Sequence, residues 1–298
     1  MHHPLQVLKH YWGYDGFRPG QAEVIDSILS GHDTLALMPT GGGKSITFQV
    51  PALANSGICL VISPLVALMK DQVKNLQKRG ILSAFISSEM PHWEILQQLD
   101  NCILGDYKFL YISPERISSE LFQEKLKTLS SKVNLLVVDE AHCISQWGND
   151  FRRDYRLIAD IRDAIPHVQV IAVTASATAA VVADICEQLH FRKGYRIFKT
   201  SFERKNLSFV VRKTDNKLKE ICHILSAVPG SAVIYSRTRK GVEEYAGKLR
   251  AAGISAEYFH AGLDPVLKTE RQADWVKGFT RVLVATNAFG MGIDKGDV

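Results

Sequence analysis

The sequence predicts two α/β domains in tandem, each built around a parallel β-sheet. Short apolar runs alternate with amphipathic stretches over the first 200 residues, and a second alternation of the same kind follows a polar segment. Apolar runs of four to seven residues are typical of strands buried on both faces, as in a parallel sheet covered by helices. The length of 298 residues also fits two domains of ordinary size.

The elements of the first domain follow from apolar spacing. Helical spacing predicts a helix over residues 22–29 and another over 65–76, with Gly80 as the stop of the second helix. The predicted strands of this domain cover residues 34–38, 58–62, 107–112, 135–138 and 168–173. Because helices separate the strands along the chain, the sheet is expected to be parallel.

A polar stretch without a strong period, residues 199–206, separates the two alternations. We therefore predict domains over residues 1–200 and 207–298, joined by a linker at 201–206. The second domain has predicted helices over residues 218–225 and 242–249, the latter capped by Thr238. Its predicted strands cover residues 231–235, 256–259 and 281–285.

Composition limits the class of protein. Hydrophobic residues make up 46% and charged residues 22% of the chain, as in soluble globular proteins. The chain has neither an apolar run near the ~20 residues needed to cross a bilayer nor the apolar core of a signal peptide. We therefore expect a cytoplasmic protein, associated with the nucleoid if it is bacterial, with no membrane partner. Its five cysteines form no C-x-x-C pair, so no zinc is expected, and the net charge of +5 is compatible with a polyanionic partner.

The most specific local pattern is MPTGGGKS at residues 38–45, between a predicted strand and a predicted helix. Glycines there let the backbone N–H groups face a polyphosphate at the start of the helix. Lys44 would neutralise the β- and γ-phosphates, and Ser45 would bind Mg²⁺. Met38 stands where the literal pattern has glycine, and a plain glycine turn is the alternative. The candidate nucleotide-binding residues of this loop are Thr40, Gly41, Gly42, Gly43, Lys44 and Ser45.

The second chemical pattern is LLVVDEAH at residues 135–142, an apolar strand that ends in two acids. Asp139 would bind Mg²⁺ through water, and Glu140 would polarise the attacking water. A solvated turn is the alternative, but the glycine loop upstream disfavours it because phosphoryl transfer needs both parts. Lys44, Asp139, Glu140 and His142 are the predicted catalytic residues.

Two longer runs carry a resemblance to a known family. WGYDGFRPGQ at residues 12–21 and DEAHCISQWGNDFRRDY at residues 139–155 resemble the RecQ family of superfamily 2 DNA helicases. The resemblance implies two tandem RecA-like P-loop domains, the second incomplete at its C-terminus, with ATP and Mg²⁺ as cofactors. It also implies that Gln21 hydrogen-bonds adenine, while Tyr14 and Arg18 stack on the ring.

The same resemblance implies the DNA contacts of the first domain. Trp147 and Phe151 would stack on bases at ~1–3 kcal/mol each, beside the cation of Arg152. SPLVALMKDQ at residues 63–72 and YISPER at residues 111–116 resemble motifs Ia and Ib, so Ser63, Pro64, Ser113 and Arg116 would contact the DNA backbone. Plain strand-to-helix turns are the alternative for these two segments. AVTASAT at residues 172–178 resembles motif III, whose hydroxyls would form a relay or, alternatively, a helix cap.

In the second domain, AVIYSRTR at residues 232–239 and RVLVATNAFGMGID at residues 281–294 resemble motifs IV and V. The resemblance implies that Arg237 and Thr286 contact DNA and that Gly292 and Asp294 face the nucleotide. The chain ends at Val298, before the arginines of motif VI. We therefore expect this fragment to be weakly active or inactive alone.

The predicted function is that of an ATP-dependent DNA helicase motor core. By resemblance, it would couple ATP hydrolysis to 3′–5′ translocation on single-stranded DNA and to duplex unwinding, in DNA repair or recombination. Single-stranded DNA and duplex junctions are the expected partners. Two alternatives remain open: a catalytically impaired nucleic-acid-binding or adaptor fragment, and an RNA helicase.

Overall fold

The computed structural model describes residues 3–39, 41–148, 151–201, 207–289 and 295–298. The chain forms two compact units, Met1–Arg204 and Lys205–Val298. Each unit is a parallel α/β domain, which confirms the predicted fold class. Most of the predicted linker at 201–206 lies outside the described residues, so its bounds stay a prediction. Within the described ranges, no helix is both long and apolar enough to cross a bilayer.

The first unit is built on a parallel sheet, which has seven strands in its described part. The strands are β1 (Thr34–Leu37), β2 (Ile58–Ile62), β3 (Ser83–Ile86), β4 (Phe109–Ile112), β5 (Val133–Val138), β6 (Gln169–Thr174) and β7 (Arg196–Lys199). Their order across the sheet is β3-β4-β2-β5-β6-β1-β7. Every residue of β1, β2 and β4 is buried, because helices cover both faces of the sheet.

Two apolar clusters, one on each face, hold this sheet between its helices. Leu35 and Leu60 belong to one cluster, whereas their chain neighbours Ala36 and Val61 belong to the other. Successive side chains of a strand point to opposite faces, so a fully apolar strand supplies both cores. The helices are α1 (Pro4–Trp12), α2 (Gln21–Leu29), α3 (Lys44–Ala54), α4 (Val66–Gln77), α5 (His92–Leu104), α6 (Glu120–Leu129), α7 (Ile158–Ala164) and α8 (Ala179–Gln188).

An ionic cluster fastens the amino end of β1 to its surroundings. The carboxylate of Asp33 is fully buried, and it accepts hydrogen bonds from the backbone N–H of Val170 at 2.9 Å and of Arg192 at 2.8 Å. The guanidinium of Arg162 lies 3.1 Å from the same carboxylate, and that of Arg192 lies 2.8 Å from it. The cluster thereby joins β1, β6, α7 and the segment before β7.

Two strands of this sheet are absent from the sequence prediction. β3 is a short edge strand, and its sequence SAFI begins with a polar residue. β7, with the sequence RIFK, is largely exposed at the other edge. Lys199 was predicted to begin the polar connector, but it is the last residue of β7 and pairs with Leu37. Edge strands need less apolar surface than central ones, so the periodicity signal is weak at both places.

The second unit has a smaller parallel sheet. Its described strands are β8 (Ala232–Tyr235), β9 (Ala256–Phe259) and β10 (Val282–Ala285), in the order β8-β10-β9. Its described helices are α9 (Lys217–Ala227), α10 (Arg239–Ala251) and α11 (Pro265–Lys277). The hydroxyl of Thr238 accepts a hydrogen bond from Gly241 N at 3.0 Å, which confirms the predicted cap of α10.

Candidate nucleotide site

The predicted catalytic residues of the first unit lie at one edge of its sheet. Lys44 follows β1, and Asp139 directly follows β5. Because all strands of the sheet are parallel, their carboxyl ends meet at the same edge, which is where α/β proteins bind ligands. The positive charge of Lys44 is near enough to the carboxyl of Asp139 to lower its pKa, so the two side chains lie close together at this edge.

The glycine loop adopts a conformation that requires glycine. Gly41 and Gly43 both have φ of +76°, and Gly43 immediately precedes α3. A Cβ atom on Gly43 would lie 2.3 Å from Nε2 of Gln21. The turn is closed by a hydrogen bond from Gly42 N to the carbonyl of Pro39 at 3.0 Å. The loop therefore leads directly into the amino end of α3, where N–H groups are available to an anion.

The residues predicted to bind adenine contact this loop. Gln21 is 3% exposed, and its Nε2 donates to the carbonyl of Gly43 at 3.0 Å. Arg18 donates from Nη1 to the carbonyl of Gly41 at 2.8 Å. The ring of Tyr14 is 52% exposed and is available to a ligand. In this structure, Arg18 and Gln21 therefore hydrogen-bond to the glycine loop. Their contacts with adenine stay a prediction. Thr40 lies outside the described residues.

Asp139 is held at both carboxylate oxygens. Its Oδ1 accepts from the backbone N–H of Glu140 at 3.0 Å, and its Oδ2 accepts from the hydroxyl of Ser63 at 3.2 Å. Burial raises the pKa of Asp139 to about 6, and the charge of Glu140 adds to the rise. The Glu140 N–H, the charge of Lys44 and the Ser63 hydroxyl act in the opposite direction and lower it. A bound cation would stabilise the charged form further.

The residues present fit a magnesium ion. Each oxygen of Asp139 accepts one protein donor, which leaves lone pairs for the water shell of a hard cation. The half-buried Ser45 lies in the first turn of α3 and offers a hydroxyl oxygen, which is a second ligand of the type that Mg²⁺ prefers. Ser45 and Asp139 thus remain the proposed magnesium residues.

The turn after β5 is strained and linked to β6. Glu140 has φ of +46° and ψ of +47°, a left-handed conformation that costs a non-glycine residue about 1–3 kcal/mol. Nδ1 of His142 lies 3.4 Å from the Glu140 carboxylate and 2.8 Å from the hydroxyl of Thr174. The carbonyl of Thr174 accepts from Met38 N at 3.1 Å. Thr174 therefore links the glycine loop to the turn at residues 139–142, which is called the DEAH turn below.

The hydroxyls at residues 172–178 have different partners, and the predicted relay stays a prediction. Thr174 contacts His142, whereas the hydroxyl of Thr178 caps α8 by accepting from Val181 N at 3.4 Å. Thr174 was not singled out from the sequence as a site residue. The signal for it was its place at the carboxyl end of a predicted strand within the motif III run.

The segment from Ser145 to Tyr155, which carries Trp147 and Phe151 and is called the aromatic-rich loop below, begins close to the DEAH turn. Trp147 is 77% exposed, and the guanidinium of Arg156 lies 5.2 Å from the ring centroid of Phe151. Arg152 donates from Nη1 to the carbonyl of Pro64 at 3.2 Å. The fully buried Tyr155, which was not singled out from the sequence, donates from its hydroxyl to the carbonyl of Asp139 at 2.8 Å. The loop is thus bonded directly to the carboxyl end of β5.

The turns at residues 63–64 and 113–116 differ from the expected phosphate contacts. The side chains of Ser63 and Ser113 are buried, so neither hydroxyl faces solvent. Arg116 donates from Nε to the carbonyl of Ser87 at 2.9 Å, and so braces the neighbouring turn. The backbone N–H groups of Ser63, Ser113 and Arg116 also donate within the chain. Contact of Ser63, Pro64, Ser113 and Arg116 with DNA therefore stays a prediction.

In the second unit, Arg237 is exposed after β8, and Thr286 is half-buried directly after β10. The backbone N–H of Thr286 donates to the carbonyl of Phe259 at 3.1 Å, which fixes the start of the segment after β10. Both residues thus stand at carboxyl strand ends of their own sheet, the position typical of ligand contacts. Gly292 and Asp294 lie outside the described residues.

Comparison with known proteins gives the family. The DEAD/DEAH box helicase family model matches residues 18–185, and the helicase conserved C-terminal domain matches residues 216–298. The ATP-dependent DNA helicase RecQ of Haemophilus influenzae is 40% identical over 295 residues, covering 99% of this chain and 47% of that protein. The RecQ of Bacillus subtilis is 41% identical over 301 residues, covering 100% and 50%. The chain thus spans about half the length of these curated relatives.

Solved structures support the same fold. A Mycobacterium smegmatis helicase Lhr bound to single-stranded DNA and AMP-PNP has a TM-score of 0.71 at 18% identity, covering all of this chain and 44% of that chain. The helicase MrfA bound to DNA has a TM-score of 0.77 at 15% identity, covering 99% and 46%. At these identities the likeness concerns the fold, and it confirms two RecA-like domains. With the DEAD/DEAH box match over more than half of its length, the chain belongs to the DEAD/DEAH box helicases and, within them, to the RecQ family.

Proposed function

We propose that this chain is the ATP-driven motor core of a DNA helicase. The observation that carries the proposal is the pairing of a glycine loop with an acidic strand end at one edge of the sheet, close enough for Lys44 to act on the carboxyl of Asp139. A triphosphate needs N–H donors, a cation and a metal-linked carboxylate together, and the first unit supplies all three kinds of group.

The residues divide the chemistry among them. The N–H groups around Gly42 and the amino end of α3 would bind the phosphates, and Lys44 would neutralise the charge that develops on the γ-phosphate. Magnesium, when bound, would neutralise phosphate charge near Ser45 and Asp139. Glu140 would orient the attacking water. A change in the position of Glu140 would reach Thr174 through His142, whose Nδ1 lies 2.8 Å from the Thr174 hydroxyl.

The exposed side chain of Trp147 supports a single-stranded nucleic acid as the polymer. Flat side chains stack on any base, so a motor can advance without reading sequence. Tyr155 and Arg152 would carry the effect of base contact to the DEAH turn, because they bond to Asp139 and to the Pro64 turn. The relatives named above are ATP-dependent DNA helicases. By analogy with the family, we propose that translocation runs 3′–5′ and that duplex junctions are substrates. We also propose a role in repair or recombination and a cytoplasmic or nucleoid location.

Replacement of Lys44 tests the proposal. Lys44→Ala should weaken binding of a fluorescent non-hydrolysable ATP analogue with Mg²⁺ by roughly 10- to 100-fold, because charged hydrogen bonds contribute ~1.5–3 kcal/mol. Lys127→Ala, which removes an exposed lysine from α6, is the matched control and should bind as the wild type does. Equal affinity of both variants would indicate an adaptor rather than a motor.

The choice of polymer has its own test. The wild-type chain should bind a thymidine oligonucleotide more tightly than a uridine oligonucleotide of the same length, with an affinity that falls as salt increases. Preference for the RNA oligomer would favour an RNA helicase instead.

A further inference from the structure

Three serines stand in equivalent positions along the carboxyl edge of the first sheet. Ser63, Ser113 and Ser87 directly follow β2, β4 and β3. The last residues of these strands, Ile62, Ile112 and Ile86, are paired in register, so the serines lie at the same level of the sheet. All three side chains are buried, at no more than 1% exposure. The hydrogen bonds of these three serines can therefore be compared directly, because the residue type, the burial and the place in the sheet are the same.

The three hydroxyls differ in their partners. Ser63 donates to Oδ2 of Asp139 at 3.2 Å, across 76 residues of chain. The hydroxyls of Ser87 and Ser113 have no hydrogen-bond partner among the described residues. Burial of a hydroxyl without a hydrogen-bond partner is unfavourable in free energy. The serine beside the acidic strand end is thus bonded to its carboxylate, whereas its two equivalents are not.

The backbone fixes the geometry of this contact. Ser63 N donates to the carbonyl of Ile112 at 3.2 Å, and Asp139 N donates to the carbonyl of Ile62 at 2.9 Å. Both residues are thereby tied to the sheet ladder, which sets where the hydroxyl and the carboxylate lie. With Oδ1 held by Glu140 N, the Ser63 bond to Oδ2 fixes the rotation of the carboxylate plane.

Ser63 also begins a turn that is held by the aromatic-rich loop. The carbonyl of the next residue, Pro64, accepts from Nη1 of Arg152 at 3.2 Å. The backbone N–H of Arg152 donates to the carbonyl of Cys143, in the turn that follows Asp139. A shift of this loop would therefore act on the Ser63 turn and on the DEAH turn together.

We infer that Ser63 is a positioning residue that orients the Asp139 carboxylate for magnesium. The inference rests on the proposed function, in which Asp139 holds the metal of a bound nucleotide. It moves Ser63 from the predicted DNA-contacting set to the nucleotide site. The hydroxyl acts through the carboxylate and need not touch the metal or the nucleotide itself.

The consequence is specific to the metal. Without the Ser63 hydroxyl, the carboxylate can rotate away from the direction in which it accepts the water shell of the metal. The Mg²⁺ concentration for half-maximal binding of the nucleotide should then rise about three- to tenfold. This is less than the direct loss of a hydrogen bond to a charged group would give, because the hydroxyl acts on the metal only through the carboxylate. Nucleotide affinity in EDTA should not change, because the substitution alters neither the glycine loop nor Lys44.

The experiment compares Ser63→Ala with Ser87→Ala in the 298-residue chain. Both variants remove one buried serine hydroxyl at the same level of the sheet, but only the first removes the bond to Asp139. The binding of a fluorescent non-hydrolysable ATP analogue is titrated with Mg²⁺ and repeated in EDTA, and urea unfolding midpoints are recorded. If Ser63→Ala does not fold, Ser63→Cys keeps nearly the same volume with a much weaker donor and serves in its place.

The outcomes separate the inference from the function beneath it. A rise in the Mg²⁺ midpoint for the Ser63 variant, with no rise for Ser87→Ala and no change in EDTA, supports the inference. An unchanged midpoint, or an equal rise in both variants, overturns it and leaves the proposed function standing. If the wild-type chain itself shows no Mg²⁺-dependent binding, the proposed function fails, and this inference fails with it.

Discussion

Replacing Asp139 by asparagine should stabilise the first unit while it abolishes the proposed metal site. Burial, aided by the charge of Glu140, raises the pKa of Asp139 from 3.8 to about 6. The folded state therefore binds the proton more tightly than the unfolded state does. Protonation supports folding fully below pH 3.8, and this support is lost as the pH rises through 6. At pH 8 the wild type carries a buried charge that the Asp139→Asn variant lacks.

The magnitude follows from linkage. A shift of about two pKa units corresponds to roughly 3 kcal/mol, at 1.36 kcal/mol for each unit. The amide can keep both local hydrogen bonds, because its oxygen can accept from Glu140 N and the hydroxyl of Ser63 can accept from its nitrogen. Asp139→Asn should therefore raise the free energy of unfolding by up to about 3 kcal/mol at pH 8.

Urea unfolding in EDTA, followed by tryptophan fluorescence at several pH values, measures this gain. Three of the four tryptophans, Trp12, Trp93 and Trp147, lie in the first unit, so the signal reports on it. The advantage of the variant should be largest at pH 8 and should shrink between pH 6 and 4. Asp71→Asn, at an exposed site on α4, is the control and should show no such trend. A destabilised Asp139→Asn at pH 8, or an advantage that does not depend on pH, would refute the reasoning.

Three further changes test other parts of the account. Asp33→Ala leaves buried Arg162 without its carboxylate and should lower the free energy of unfolding by ~3–5 kcal/mol in urea; a loss below about 1 kcal/mol would contradict the structural role of the cluster. Gly43→Ala puts a side chain on a residue with φ of +76° and displaces Nε2 of Gln21, so it should weaken binding of the ATP analogue. Unchanged binding would show that the loop adapts. Trp147→Ala should weaken single-stranded DNA binding by ~1–3 kcal/mol in a fluorescence anisotropy titration, with the urea midpoint unchanged; unchanged DNA affinity would remove Trp147 from the interface.

The parts of the site that lie next to each other in sequence were the predictable ones. The glycine loop and the DEAH turn each combine an apolar strand with a short polar segment, so residue order alone predicts their positions at strand ends. The central strands were predicted because burial on both faces demands a fully apolar run. β3 and β7 were missed because an edge strand can be short or charged and still pair with its neighbour.

The contacts that organise the site were not predictable in the same way. Ser63 reaches Asp139 across 76 residues, and His142 reaches Thr174 across 32. Whether two strand ends are neighbours depends on the order of strands in the sheet, and alternating strands and helices do not specify that order. The bond between Ser63 and Asp139 and the contact between His142 and Thr174 therefore emerge only when β2, β5 and β6 are seen side by side.

The central claim is that a magnesium-bound triphosphate binds between the glycine loop and the acidic strand end of the first unit. A crystal structure of the chain with Mg²⁺ and a non-hydrolysable ATP analogue tests it most directly. We expect Mg²⁺ at ~2.1 Å from the hydroxyl of Ser45 and one water away from Asp139, with Lys44 on the terminal phosphates. A triphosphate bound elsewhere, or a metal that neither Ser45 nor Asp139 approaches, would contradict it.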